Sequence, residues 1–134
     1  MKKLTLTAAF AGYGAKLKNP RWACSAIAND GAFVISCWQH LFVKRNVDGR
    51  KRYEDHLSRW RGNHQGRNLL ADHLKKAFDG GLPVRLIIAT LDDPKDSKDA
   101  TGDASSLPKT FSIEANLVGK VVEFDGNDAF AIEF

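Results

Sequence analysis

Several features that identify common protein classes are missing from this sequence of 134 residues. No apolar run approaches the ~20 residues of a membrane-spanning helix, so we expect no membrane association. Only two cysteines are present, Cys24 and Cys37, and no CxxC pair occurs, so a zinc site is unsupported. No GxxxxGK(S/T) motif is present, and no GxGxxG follows a strand, which excludes the common phosphate-binding loops.

Catalytic patterns are absent as well. The four histidines, His40, His56, His64 and His73, form no HxH, HxxxH or HExxH pattern that would chelate a metal. No nucleophile arrangement can be argued from spacing, and both cysteines fall in an apolar hairpin, where thiols are poor nucleophiles. We therefore expect no resident metal and no cofactor, and the sequence favours a protein without enzymatic activity while leaving the question open.

The composition is that of an ordinary globular protein. Hydrophobic residues make up 43% and charged residues 27%, which excludes wholesale disorder and fibrous repeats. We interpret residues 1–134 as one domain, since a chain of this length can bury a core without disulfides or metals. Lys2-Lys3 and the short apolar run that follows are faintly similar to a signal peptide, but alternating Leu4 and Leu6 favour a first β-strand. The expected compartment is the cytoplasm, where thiols stay reduced.

The clearest local structure is a β-hairpin around Asp30-Gly31, a dipeptide typical of two-residue type I′ turns. That turn sets Asn29 opposite Ala32 and Cys24 opposite Cys37. The cysteine pair could then tolerate a disulfide, but two buried thiols are the interpretation that a cytoplasmic chain favours.

The rest of the chain predicts an α+β fold. Residues 92–107 are rich in Asp and predict a mobile acidic surface loop. The other predicted elements are a short helix over 53–60, a clearer helix over 67–79 ended by Gly80-Gly81, strands over 83–91 and 111–115, and a closing hairpin of 117–123 with 129–134. This order predicts a mostly antiparallel sheet of about six strands, with one or two helices, that can curl into a barrel.

Charge is divided unequally along the chain. The formal net charge is +4, yet residues 1–78 carry fifteen Lys and Arg against five Asp and Glu, whereas residues 79–134 carry five against eleven. The densest basic stretch lies between Lys44 and Lys76, and six of its ten cations are Arg, whose planar guanidinium suits phosphate. A positive field of this kind concentrates polyanions.

Aromatic residues are interleaved with these cations, and stacking of a base on such a ring is worth ~1–3 kcal/mol. Two rings together could hold a flipped or modified base. We therefore predict a non-catalytic nucleic-acid-binding domain, with DNA rather than RNA as the partner. The residues predicted to contact phosphates or bases are Arg45, Arg50, Lys51, Arg52, Arg59, Arg61, Arg67, Trp38, Tyr53 and Trp60.

Two other functions are open at this point. Asp92 and Asp93 follow a predicted buried strand and, with Glu54, could hold a divalent ion in a small Mg²⁺-dependent nuclease. Alternatively, the basic face could dock on an acidic protein partner in a regulatory module. The opposite charges of the two parts of the chain would also allow head-to-tail homo-oligomers.

Overall fold

The computed structural model describes residues 5–19, 23–43, 51–59, 64–93 and 109–134. Beyond Asp93, the predicted acidic loop of residues 92–107 lies outside these ranges. In chain order the described elements are α1 (Leu6–Ala11), β1 (Ser25–Ile27), β2 (Phe33–Trp38), a 3₁₀ turn (Gln39–Leu41), β3 (Arg52–His56), a second 3₁₀ turn (Leu57–Arg59), α2 (His64–Gly80), β4 (Val84–Leu91), β5 (Lys109–Phe124) and β6 (Ala129–Glu133).

The described strands form one six-stranded sheet in the order β1-β2-β4-β5-β6-β3. Strands β2 and β4 are parallel, and the other four neighbouring pairs of this sheet are antiparallel. Strand β5 belongs to both halves of the sheet, because its first part pairs with β4 and its last part with β6. The predicted α+β fold with a mostly antiparallel sheet is thus confirmed.

Contacts beyond the end of β2 curl this sheet. Phe42 forms an isolated antiparallel bridge with Tyr53 of β3, and the Val43 N–H donates to the Arg52 carbonyl at 2.9 Å. Because β3 is the edge strand farthest from β1 and β2 in the sheet order, these contacts draw the two sides together. The result is the curled half-barrel that the predicted element order allowed.

Gly119 marks the corner where β5 leaves one half of the sheet for the other. It pairs with Val84 of β4, while the next residue, Lys120, pairs with Glu133 of β6. A Cβ atom at position 119 would lie 2.5 Å from the ring of Phe134 and 2.6 Å from the Glu133 carbonyl oxygen. The corner therefore needs glycine because no side chain fits between the two strands there.

Helix α2 packs on the concave side of the sheet and confirms the helix predicted over residues 67–79. Leu70, Leu74 and Ala77 follow helical spacing and are fully buried. They belong to one core cluster with Phe33 and Leu86 of the neighbouring strands β2 and β4. The helix ends where Gly81 adopts a φ of +62° and the Leu82 N–H donates to the Ala77 carbonyl at 3.0 Å, a glycine termination of the predicted kind.

The Tyr13 side chain forms hydrogen bonds at an irregularity between β4 and β5. The register of the two strands shifts between Arg85 and Ile87. The Tyr13 hydroxyl enters this gap, donates to the Leu86 carbonyl at 2.8 Å and accepts from the Glu114 N–H at 3.2 Å. One side chain thus bridges two backbone groups of neighbouring strands at the point where their register changes.

The strand predicted at the start of the chain is wrong in the described part, because residues from Leu6 form helix α1. Thr5 caps this helix by accepting a hydrogen bond from the Ala8 N–H at 3.1 Å. A threonine cap followed by alanines favours a helix more strongly than the alternation of Leu and Thr favours a strand. Ala9 and Phe10 are fully buried, so α1 closes the second, smaller core cluster.

The predicted hairpin exists, but its register is shifted by one residue. Ser25 pairs with Ile35, and the Ala28 N–H donates to the Ala32 carbonyl at 2.9 Å across a three-residue loop. Gly31, with a φ of +89°, is the last residue of that loop rather than part of a two-residue turn. Cys24 therefore lies opposite Ser36 instead of Cys37.

The short helix predicted over residues 53–60 is wrong in its described part. Residues Arg52–His56 form β3 and Leu57–Arg59 form a 3₁₀ turn. Tyr53 and Asp55 point inward while Glu54 and His56 are exposed, which is the alternation of a strand. Tyr53 and Leu57 are both buried. Residues four apart share a face in a strand as well as in a helix, so their spacing does not distinguish the two.

Candidate nucleic-acid interface

Six of the ten predicted contact residues lie in the described part of the chain. Arg45, Arg50, Trp60 and Arg61 lie outside it. Of the described six, Tyr53 is buried, Lys51 is exposed, and the others are half-buried: Trp38, Arg52, Arg59 and Arg67. Their surroundings decide which of them can meet a ligand.

Arg52 is held by carboxylates on three strands. Its Nε lies 2.9 Å from Glu54 of β3, and its terminal nitrogens lie 2.8 Å from Glu123 of β5 and 3.8 Å from Glu133 of β6. The hydrogen bond to Glu54 and the nearby Glu123 raise the pKa of Arg52. This guanidinium ties the strands together, and its charge is already compensated.

Arg59 and Tyr53 belong to a buried network centred on Asp55. The Arg59 guanidinium donates to both Asp55 oxygens, at 2.8 and 2.6 Å, and the Tyr53 hydroxyl donates to Oδ2 at 2.7 Å. Tyr53 is 1% exposed and Asp55 is 5% exposed, and burial raises the pKa of Tyr53 well above its usual value. The Tyr53 ring cannot stack on a base from inside this core.

An open cleft of about 300 Å³ lies beside this network. Its lining comes from β3, β6 and the end of β5: Glu54, Asp55, His56, Glu123, Asp125, Ala129, Phe130 and Ala131. Four carboxylates line it, so this face repels a polyanion rather than attracting one.

Lys51 and Arg67 are placed differently. Lys51 is exposed, and its backbone is fixed because the Phe134 N–H donates to the Lys51 carbonyl at 2.8 Å. Arg67 is half-buried in the first turn of α2. Both cations are attached to fixed backbone, and the exposed Lys51 ammonium can reach a phosphate without breaking the core.

Trp38 is the last residue of β2 and its side chain is half-buried. The Lys109 ammonium lies 5.6 Å from the centroid of its ring. The His40 ring lies at the same centroid distance of 5.6 Å, tilted by 49°. Trp38 pairs with Ala89, and Ala89 pairs with Phe111 of β5. This is the place among the described residues where a predicted aromatic meets a cation at the surface.

The sequence interpretation missed Lys109, His40 and Phe111 as parts of this site. Lys109 and Phe111 lie far from Trp38 along the chain and reach it only through the pairing of β2 with β4 and β4 with β5. No spacing within the basic stretch could indicate that juxtaposition. The strand character of 83–91 was visible, but its parallel pairing with β2 was not.

The described residues do not assemble the nuclease site that we considered. Asp92 accepts a hydrogen bond from the Thr110 hydroxyl at 2.8 Å, and Glu54 is bound by Arg52. Across the described ranges, no group of three or more His, Cys, Asp or Glu could hold a metal ion.

His73 bonds Ser25 at 2.8 Å, and burial lowers the pKa of the imidazole.

Both cysteines carry free thiols. Cys37 is fully buried, and burial raises the pKa of its thiol well above the usual value. A thiol of this kind is a poor nucleophile, as the sequence interpretation expected.

Comparison with protein-family models, with curated proteins and with solved structures finds no significant match to this chain. Among the helices that the structure describes, none is both long and apolar enough to cross a membrane.

Proposed function

We propose that this protein is a non-catalytic nucleic-acid-binding domain whose contact surface is centred on Trp38. The observation that carries the proposal is the half-buried Trp38 ring with the Lys109 ammonium 5.6 Å from its centroid. Proteins commonly stack aromatic rings on unpaired bases and place basic side chains on phosphates. The proposed partner is DNA rather than RNA.

Charge along the chain supports this placement of the surface. After Trp38 the sequence continues through Lys44, Arg45 and Arg50 to the exposed Lys51. The first three of these cations lie outside the described residues and enter the proposal by sequence alone. Arg61, which also lies outside, and Arg67 complete the proposed phosphate contacts.

Three of the residues predicted from the sequence are not part of the proposed contact set: Arg52, Arg59 and Tyr53. Arg52 and Arg59 would have to give up carboxylates at 2.6–2.9 Å to bind phosphate. Such an exchange loses a charge-assisted hydrogen bond for each one formed. In the proposed contact set, Lys109 replaces these two arginines as the cation nearest an aromatic ring.

The acidic cleft supports an orientation for the bound polymer. Glu54, Glu123 and Asp125 line the cleft on the β3–β6–β5 side. The Trp38 ring lies against the Lys109 ammonium instead, although the Trp38 N–H donates to the buried Tyr53 hydroxyl at 3.4 Å. A polyanion would be repelled from the first region and could approach the second.

The test is a binding titration with labelled single- and double-stranded DNA and RNA at two salt concentrations, first with EDTA and then with Mg²⁺. We expect salt-sensitive binding and no cleavage. Lys109→Met should lower the slope of log K against log salt by about 0.7–0.9. The matched control is Lys120→Met, an exposed lysine on the same strand that pairs with Glu133 instead.

Other results of this titration would select another function. Loss of full-length oligonucleotide only with Mg²⁺ would replace the binding domain with a nuclease. Absence of binding at low salt would leave a protein partner or a second copy of the chain as the occupant of the basic face.

A further inference from the structure

Two exposed lysines follow helix α1, outside the densest basic stretch of the chain. Lys16 and Lys18 are exposed, whereas Ala15 and Leu17, which alternate with them, are 7% and 5% exposed. Alternating burial is the pattern of an extended segment, in which every second side chain projects from the same side. The two lysine side chains therefore leave the backbone on the solvent side, about 7 Å apart.

The backbone that carries these lysines is fixed on both sides. The turn after α1 contains Gly14, whose φ is +72°. Hydrogen bonds from the Gly14 and Ala15 N–H groups to carbonyls of α1 follow the Schellman pattern of helix termination. The Gly14 carbonyl accepts from the Asn29 N–H at 3.0 Å, and farther along the Asn19 carbonyl accepts from the Ala23 N–H at 2.8 Å. The lysines thus project from a fixed backbone on flexible four-carbon stems.

The segment of residues 15–18 covers the face of the sheet on which Trp38 lies. Ala15 and Leu17 belong to the same core cluster as Ile87 of β4. Ile87 and Ala89 share a face because they are two residues apart on β4, and Ala89 pairs with Trp38 of β2. The lysines and the indole are therefore on one side of the sheet, and the Trp38 row is about 7 Å along β4 from the residue that the segment covers.

The charge of these two lysines is more available than that of Arg52 and Arg59. Both arginines are bound by carboxylates. Among the residues that the structure describes, no ion pair involves Lys16 or Lys18. An anion can therefore bind the two lysines without displacing a carboxylate of the described residues.

We infer that Lys16 and Lys18 contact neighbouring phosphates of a nucleic-acid strand whose backbone follows residues 15–18. This inference rests on the proposed function and adds to it two contacts from outside the basic stretch. A nucleic acid fits better than an acidic protein because a strand carries one charge at each regular step along its length. The two ammonium groups are likewise spaced along one extended segment, on the side of the sheet where the proposed surface lies.

The experiment measures the salt dependence of binding of the full chain to a fluorescein-labelled duplex and to a single strand of the same length. Lys16→Met combined with Lys18→Met should lower the slope of log K against log salt by about 1.8 for the duplex and about 1.4 for the single strand. Lys16→Arg combined with Lys18→Arg should keep the wild-type slope, because both charges remain.

The matched control is Lys75→Met combined with Lys76→Met. It removes the same charge from two exposed lysines of α2. Helix α2 packs on the opposite side of the sheet, since its buried residues belong to the other core cluster. This control should leave the slope near the wild-type value.

A second measurement uses the wild-type protein, so it does not depend on the folding of a variant. Lysines are acetylated in the free protein and in its complex with the tighter-binding probe, and the modified peptides are quantified by mass spectrometry. Lys16 and Lys18 should react more slowly in the complex, while Lys75 and Lys76 should react at the same rate in both. Unchanged rates at Lys16 and Lys18 would overturn the inference.

The results separate this inference from the proposed function. An unchanged slope for the Lys16 and Lys18 double Met variant, with salt-sensitive binding by the wild type, would overturn the two contacts and leave the proposed function in place. An equal fall in both double Met variants would also overturn them, because the effect would then come from net charge. Absence of wild-type binding to both probes would overturn the proposed function itself.

Discussion

The cations at the two sides of the curled sheet have different neighbours. At the β3–β6–β5 end, Arg52 and Arg59 are bound by carboxylates, with Asp55 and Arg59 buried together. At the β2–β4–β5 end, the Lys109 ammonium lies over an indole ring. A cluster of arginines in a sequence is therefore not the same as a cluster of available charge, because the fold can supply each of them with a partner.

Those partners come partly from the acidic part of the chain. Strand β3 belongs to the basic part, yet it pairs with β6, which belongs to the acidic part. That pairing brings Glu133 of β6 and Glu123 of β5 to Arg52. At this end of the sheet, carboxylates from the acidic part of the chain thus compensate cations from the basic part.

The largest effect should come from breaking the buried ion pair. Arg59→Met would leave the Asp55 carboxylate buried without its partner, and we expect a loss of about 3–5 kcal/mol in the free energy of unfolding. Arg52→Met, at a more exposed arginine, should cost about 1 kcal/mol or less. Urea unfolding of both variants tests this contrast, and equal losses would show that the two arginines do not differ as described.

The junction between the two ends should be the next most sensitive position. Gly119→Ala places a Cβ atom 2.5 Å from the Phe134 ring, and such overpacking costs about 1–3 kcal/mol. Gly80→Ala is the matched control, since its nearest contact would be an ordinary 3.7 Å to Leu82. In thermal melts, the melting temperature of Gly119→Ala should lie well below that of the wild type, and that of Gly80→Ala should be equal or higher. Two variants of equal stability would contradict the close approach at the corner.

A smaller effect is expected from Tyr13→Phe, which acts on the β4–β5 side alone. The change keeps the ring near Arg85 but leaves the Leu86 carbonyl and the Glu114 N–H without the hydroxyl between them. The free energy of unfolding should fall by about 0.5–1.5 kcal/mol, the net contribution of an intramolecular hydrogen bond. Amide exchange at Glu114 should accelerate, and an unchanged rate there would mean that the hydroxyl does not bridge the strands.

The smallest effect concerns His73, which binds Ser25 between α2 and the edge strand β1. Burial, with repulsion from Lys76, holds the pKa of His73 below its usual value. Below pH about 6.5 the unfolded chain takes up this proton before the folded chain does, so stability falls from there down to the folded-state pKa. His73→Gln should lose less of its melting temperature than wild type between about pH 7.5 and 5. Parallel losses would exclude His73 from that pH dependence.

The parts of the fold that the sequence predicted are those with strong local signals. The 3.6-residue spacing of Leu70, Leu74 and Ala77 indicated α2, and the β-branched run at 83–91 indicated β4. Turn residues at Asp125 and Gly126 indicated the closing hairpin, where Asp125 now accepts hydrogen bonds from the Asn127 and Asp128 N–H groups.

The features that the sequence did not predict depend mostly on contacts between segments that are distant along the chain. Tyr53 and Leu57 fit a helix by spacing, and only the pairing of β3 with β6 makes the first of them part of a strand. The loop of the hairpin has three residues instead of the expected two, because the Ala28 N–H donates to the Ala32 carbonyl. This shifts the register by one residue, so Cys24 is not opposite Cys37. Of the candidate site, the sequence indicated Trp38, but Lys109 and Phe111 join it only through the order of strands in the sheet.

The pairing of β3 with β6 also affects the order in which the chain can fold during synthesis. β3 leaves the ribosome before α2, β4 and β5, yet the strand that pairs with it in the sheet is made after all of them. Until then the Tyr53 side chain, 1% exposed in the finished fold, lacks its core neighbours Phe130 and Ile132 of β6. Contacts between segments so distant along the chain slow folding. The growing chain therefore leaves the backbone edge of β3 unpaired until β6 emerges, which is the stage at which binding by a chaperone would be most useful.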